Sequence, residues 1–247
     1  METPTYIVLS RELALSRQME VVANNLANTN TPGFKSEGMV FSEYLIKAEK
    51  PVKLSYVQDL ASYRDMSEGN VEKTGNDLDA AIQGKGYFVV QTSDGPRYTR
   101  NGRFELNAAG ELVTGAGFRV LAGGAPIILN PEDGPVTIAA DGTVSADRTQ
   151  GGNTPVIYGK LDVVTFADET ALKPQGNTLF ATTQPATAAN VADFKVQQGM
   201  IEGSNVESIR EMTNMIWVQR NYQSAQKFLE GEHERMRRAV NYIIPSA

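Results

Sequence analysis

Glycine and proline are almost missing from both ends of this chain and crowded into its middle. Thr5–Thr31 contains neither residue, and Ser204–Ile244 contains one glycine, Gly231, and no proline. Nearly all the rest of the 22 glycines and 11 prolines of the 247-residue chain lie between. A helix interior loses about 1 kcal/mol to glycine and about 3 kcal/mol to proline. The two ends are therefore free to form long helices, and the middle is not.

The ends carry helical apolar patterns. Val8, Leu15, Met19, Val22 and Leu26 follow spacings of seven, four, three and four, which is a heptad seam. This predicts a first helix that Pro32-Gly33 ends, because proline lacks the N–H and restricts Thr31 before it. Near the other end, Met215, Val218, Tyr222, Ala225, Leu229, Met236, Ala239 and Ile243 keep a three-four rhythm, with Glu232 the one polar place in it. Ile209, Met212 and Ile216 form an adjoining stripe. Ser204 or Asn205 suits an N-cap, and Glu207 and Glu211 favour the positive end of the helix dipole. At ~1.5 Å per residue, some 40 residues reach about 60 Å, which needs a partner along its length.

The middle reads as short strands and turns. Tyr87–Val90, Arg97–Arg100, Phe104–Leu106 and Leu112–Thr114 are each followed by a turn, beginning with Asp94-Gly95 and Asn101-Gly102. Later strands are expected over Val156–Ala167 and Leu179–Thr183. Residues 36–70 are ambiguous, and are expected to be extended with a short helix near Phe41–Ala48. The fold class is therefore α+β: an antiparallel β-rich central domain flanked by long N- and C-terminal helices that pair in a coiled-coil-like α-domain. The expected boundaries are a discontinuous helical assembly domain, 1–35 with 203–247, and a β-rich middle, 36–202, with its core at about 71–183.

Composition removes most catalytic readings. With no cysteine and one histidine, His233, thiol nucleophiles, zinc-thiolate sites and histidine-based metal sites are excluded. A net charge of −6 opposes binding to a phosphate backbone. The apolar runs, such as Tyr6–Leu9, are far short of a membrane span, and the start does not read as a secretory signal. Gly84-Lys85-Gly86 lacks the ending of a phosphate loop, and Asp141-Gly142-Thr143 lacks the other acids of a calcium loop. Arg97, Arg100, Arg103 and Arg119 are expected on a solvated sheet face in cross-strand pairs. Asp77 and Asp79 are the one carboxylate pair worth weighing as glycosidase acids, against a polar loop with Leu78 turned inward. No catalytic, cofactor or metal residues are assigned.

Three motifs in order carry a resemblance. They are Ala23-Asn24-Asn25-Leu26-Ala27-Asn28-Thr29-Asn30-Thr31-Pro32-Gly33-Phe34-Lys35; then Thr74–Ile82, Gly84–Val90, Tyr98–Phe104 and Gly110–Thr114; then Gln198–Val206 with Glu211-Met212, Met215-Ile216 and Gln219–Tyr222. Together they resemble the bacterial flagellar rod and hook family over essentially the whole chain. Tyr6–Glu12 and Tyr222-Gln223-Ser224 look more like a proximal-rod member than a distal one. The resemblance implies a structural subunit that transmits torque and is exported by the flagellar type III apparatus without a cleaved signal. It implies a place in the rod crossing the periplasm, assembled with itself and other rod proteins. Nucleic acid, small-molecule substrate, cofactor and membrane insertion are not expected. The assembly surface is expected at Val8, Leu15, Met19, Val22, Asn24, Asn25, Leu26, Asn28, Gly33, Phe34, Ser204, Asn205, Val206, Met212, Met215, Val218, Tyr222, Ala225, Leu229 and Met236. The rival readings are a distal-rod protein and a secreted β-rich carbohydrate-active enzyme using Asp77 or Asp79.

Overall fold

A computed structural model describes residues 3–47, 53–130, 133–147 and 155–243. One helix lies near each end, α1 (Thr3–Ala27) and α2 (Ser208–Ile243), around a β-rich core. Their 25 and 36 residues give lengths of roughly 37 and 54 Å. The described chain forms two compact units. The smaller combines the two helices with residues 37–65, and the larger comprises residues 30–36 and 66–205.

In the smaller unit, β1 (Glu37–Lys47) and β2 (Lys53–Arg64) pair antiparallel from Glu37↔Arg64 to Lys47↔Lys53, with a register shift at Val40/Phe41. The helix expected near Phe41–Ala48 is therefore not formed over 41–47, where the chain is strand; residue 48 lies outside the described residues. The run Tyr44-Leu45-Ile46 suits either period, and eleven paired residues settle it as β. This hairpin packs on α1, which is why residues 37–65 group with the helices and not with the β-rich middle.

The first helix stops at Ala27, four residues before Thr31. Its end is made by side chains that capture carbonyls, and not by the Pro32-Gly33 pair. The Asn28 amide donates to the Asn24 carbonyl at 2.8 Å, and the Thr29 hydroxyl donates to the Leu26 carbonyl at 2.9 Å. The Asn24 carbonyl also keeps the helical Asn28 N–H at 3.1 Å, whereas the Leu26 carbonyl takes the Thr29 N–H at 3.3 Å in a tighter final turn. The second helix also starts later than expected. Glu207, and neither Ser204 nor Asn205, supplies the carbonyl that accepts the Glu211 N–H at 3.0 Å.

In the larger unit a ten-stranded antiparallel sheet carries the meander. Its main path runs Lys173–Pro174, Leu179–Ala181, Gly95–Thr99, Tyr87–Thr92, Arg119–Ala122, Leu112–Thr114, Phe104–Leu106. Strand Tyr87–Thr92 shows why this core reads as a continuous apolar run. Phe88 and Val90 point into one buried cluster with Phe104, Leu112 and Val120, while Tyr87 and Val89 point into another with Tyr98, Phe166 and Phe180. Both faces are covered, so alternation disappears. Phe88 and Phe104 meet edge-on at 5.2 Å between ring centres. Two smaller pairings close the unit late in the chain: Phe194–Gln198 with Ala80–Gly84, and Met200–Glu202 with Val71–Lys73.

Candidate functional site

The helix pair holds most of the expected surface. Leu15 and Val22 of α1 are buried, and so are Val218 and Ala225 of α2. Val8, Met19, Leu26, Met215, Tyr222 and Leu229 are half-buried beside them. A groove of about 320 Å³ is lined by Val8 and Arg11 of α1 and by Asn221, Ser224, Ala225 and Phe228 of α2. From this level, burial continues towards the end of α1, through Leu15 and Val22, and towards the start of α2, through Val218 and Glu211. The start of α1 thus lies against the middle of α2.

Met212 and Met236 stand outside that seam and are exposed. With Met212 go Ile209, 79% exposed, Ile216, 51% exposed, and Trp217. Apolar groups on one open helix face are costly to leave in water, at roughly 25 cal/mol per Å². Asn24 is exposed and Asn28 half-buried, both at the helix end. Asn25 is buried and acts as a strand would: its Nδ2 donates to the Glu37 carbonyl at 2.8 Å, and its Oδ1 accepts the Glu37 N–H at 2.9 Å. It thus fixes where β1 starts.

Gly33, Phe34, Ser204 and Asn205 lie in the larger unit, and the buried Val206 begins the last stretch of the smaller one. Gly33 has a φ of +69°, and a Cβ there would overlap the backbone of Asn101. Its N–H donates to the Glu202 carbonyl at 2.8 Å. The Asn205 side chain accepts the Ser36 N–H at 2.7 Å.

Next to these residues lies a feature the sequence reading missed. Glu202, Lys35 and Arg100 are all buried. Lys35 Nζ lies 2.6 Å from Glu202 Oε1 and donates to the Ser67 carbonyl at 2.6 Å. Arg100 Nη1 lies 3.4 Å from Glu202 Oε2, and its Nη2 donates to the Gly84 carbonyl at 2.9 Å. Burial pushes the Lys35 ammonium below the usual lysine range, with the Glu202 carboxylate opposing. Arg103 and Arg119 are exposed as expected and Arg97 is half-buried, but Arg100 is not on a solvated face. Its guanidinium sits 5.1 Å from the Tyr87 ring centre.

The Tyr87 hydroxyl is buried and, among the described residues, has no partner in hydrogen-bond geometry. Burial, and then the Glu169 carboxylate, raise its pKa above the ordinary 10.0, although the Arg100 guanidinium lies close enough to oppose the rise. A raised pKa means that the unfolded tyrosine ionises first, so this contribution to stability is present below pH ~10 and is lost as pH rises beyond it. Tyr87→Phe removes the orphaned donor and that alkaline loss together. It is expected to stabilise the fold by about 1 kcal/mol at neutral pH and by more at alkaline pH, read by denaturant melts at both.

The carboxylates weighed as catalytic are separated in character. Asp79 is buried and accepts from the Thr74 hydroxyl at 2.6 Å and the Asn76 amide at 3.1 Å, whereas Asp77 is exposed. Among the described residues no cluster of three acidic or histidine side chains suits a metal, and no helix is long and apolar enough to cross a membrane.

Three family models match in chain order. They are the flagella basal body rod protein at residues 8–35, the flagellar hook protein FlgE/F/G D1 domain at 81–146 and the flagellar basal body rod FlgEFG protein C-terminal at 197–241. The chain is 40% identical to the flagellar basal-body rod protein FlgF of Caulobacter vibrioides, with 98% of each chain covered. The chain belongs to the flagellar basal-body rod protein family. Other rod proteins similar to it are FlgF of Rhizobium meliloti, 34% identical over 98% of both chains, and FlgG of Agrobacterium fabrum, 35% identical over 87% of this chain and 90% of that one. Rod proteins are structural, and the flagellar basal body is the location this membership supports. The three matched stretches of the rod protein hold most of α1 with Lys35, the meander with Arg100, and Glu202 with most of α2.

Proposed function

We propose that this chain is a subunit of the proximal rod that polymerises with copies of itself and with other rod proteins through its helix pair. The seam behaves as a short coiled coil, and the expected assembly residues on α1 and α2 are its contact surface. The observation that carries this reading is the open stripe of Ile209, Met212 and Ile216 with Trp217 on α2. Such a stripe marks a contact surface when it is contiguous and apolar. Heterologous contacts that do not close generate a helical filament and not a ring. Stiff packing then carries torque from the motor to the hook. Delivery by the flagellar type III apparatus without a cleaved signal, and a place in the rod across the periplasm, complete the proposal. The FlgF of Caulobacter vibrioides, 40% identical over 98% of both chains against 35% over 87% of this chain for the FlgG of Agrobacterium fabrum, supports the proximal assignment over the distal one.

The double substitution Ile209→Asp with Ile216→Asp tests it. Both side chains already face water, so thermal melting of the purified chain should change little. Swimming should be lost, and basal bodies imaged from the strain should lack a complete rod. Normal swimming with both charges in place would refute the stripe as an assembly surface.

A further inference from the structure

The chain passes between its two compact units four times, between residues 29 and 30, 36 and 37, 65 and 66, and 205 and 206. Within the larger unit, the residues nearest these passages converge on one buried carboxylate. Glu202 Oε1 takes Lys35 Nζ at 2.6 Å and the Gly69 N–H at 3.1 Å. Glu202 Oε2 takes Arg100 Nη1 at 3.4 Å, from the meander. The Glu202 carbonyl takes the Gly33 N–H at 2.8 Å. Asn205 adds a second layer. Its Oδ1 accepts from the Ser36 N–H at 2.7 Å, and its Nδ2 donates to the Ser67 carbonyl at 3.3 Å.

We propose that Glu202 is a clamp that holds residues 30–36, 66–70 and 200–205 as one block, which opens as a local unit when the carboxylate charge is lost. Apolar packing is non-directional and would let these segments loosen one at a time. Glu202 Oε1 ties Lys35 and the Gly69 N–H to its own strand, joining the three segments, while Oε2 rests on Arg100 at the edge of the meander. The block is distinct from the meander, whose strands close on their own apolar clusters. Local opening at less than the free energy of global unfolding is the property that amide exchange resolves by segment.

The test is amide hydrogen exchange on the full chain, comparing wild type with Glu202→Gln. The amides of Gly33, Ser36 and Gly69 should exchange at least tenfold faster, while those of Tyr87–Thr92 keep their rates. Unchanged exchange at the three amides would mean that packing alone holds the block. Equal acceleration in Tyr87–Thr92 would mean that Glu202 adds only global stability. Either result overturns the clamp. Should Glu202→Gln not fold, the milder Lys35→Gln is measured in its place. It should speed Gly33 and Ser36 several-fold and again spare Tyr87–Thr92, and the same two contrary results would overturn the proposal.

Discussion

Val218→Asp is expected to separate the helix pair. Val218 is 0% exposed at the centre of the α1/α2 seam, flanked by Leu15, Val22 and Ala225, which are also buried. Shortening it to alanine removes two methyl groups and costs about 2 kcal/mol. An aspartate adds a charge at a fully buried apolar position, and the cost rises to about 4 kcal/mol or more. Circular dichroism should show loss of much of the helical signal. The near-ultraviolet signal of the meander aromatics, Tyr87, Tyr98, Phe104 and Phe166, should persist to its usual melting temperature. Loss of both signals in one transition would show that the two compact units depend on one another for stability.

Glu202→Leu is expected to be the most damaging single change in the larger unit. It removes the carboxylate that both Lys35 and Arg100 meet, while both cations stay buried. Removing one partner of a buried ion pair costs about 3–5 kcal/mol, because the remaining charges stay desolvated. Replacing all three, as Lys35→Met, Arg100→Met and Glu202→Leu, removes the charges together and should recover most of that loss. Chemical denaturation of the wild type and the two variants gives the comparison. A triple variant no more stable than Glu202→Leu alone would show that directional bonding, and not charge burial, dominates here.

The parts of this molecule that were readable from sequence are those governed by neighbours along the chain. Leu15, Val22, Val218 and Ala225 occupy the inner seam because helical periodicity alone places them there. Tyr87–Val90 and Leu112–Thr114 are strands because turns bracket them and apolar residues fill them. Periodicity failed where two periods fit equally well, as in residues 41–47. There the pairing of β1 with β2 decided the outcome. Met212, from the adjoining stripe, and Met236, from the main series, are exposed in the single chain, so spacing alone does not say which positions the chain covers itself. The ion cluster was out of reach for a different reason. Lys35 and Glu202 are separated by 167 positions, and a charged residue gives no local sign that it will be buried. Arg100 was read with Arg97, Arg103 and Arg119 as one class, although only Arg100 meets a buried carboxylate.

The order in which the chain is made bears on this arrangement. The smaller unit is assembled from residues 1–29, 37–65 and 206–247, and the larger from 30–36 and 66–205. A chain emerging N-terminus first therefore holds α1 and the hairpin long before α2 exists to cover Leu15 and Val22. The larger unit waits as well: Ala80–Gly84 has no partner until Phe194–Gln198 appears, and Val71–Lys73 none until Met200–Glu202. Some 200 residues must be synthesised before either unit can close. Until then both units are open, so timing alone, without any added safeguard, keeps the growing chain from presenting either unit in its closed form.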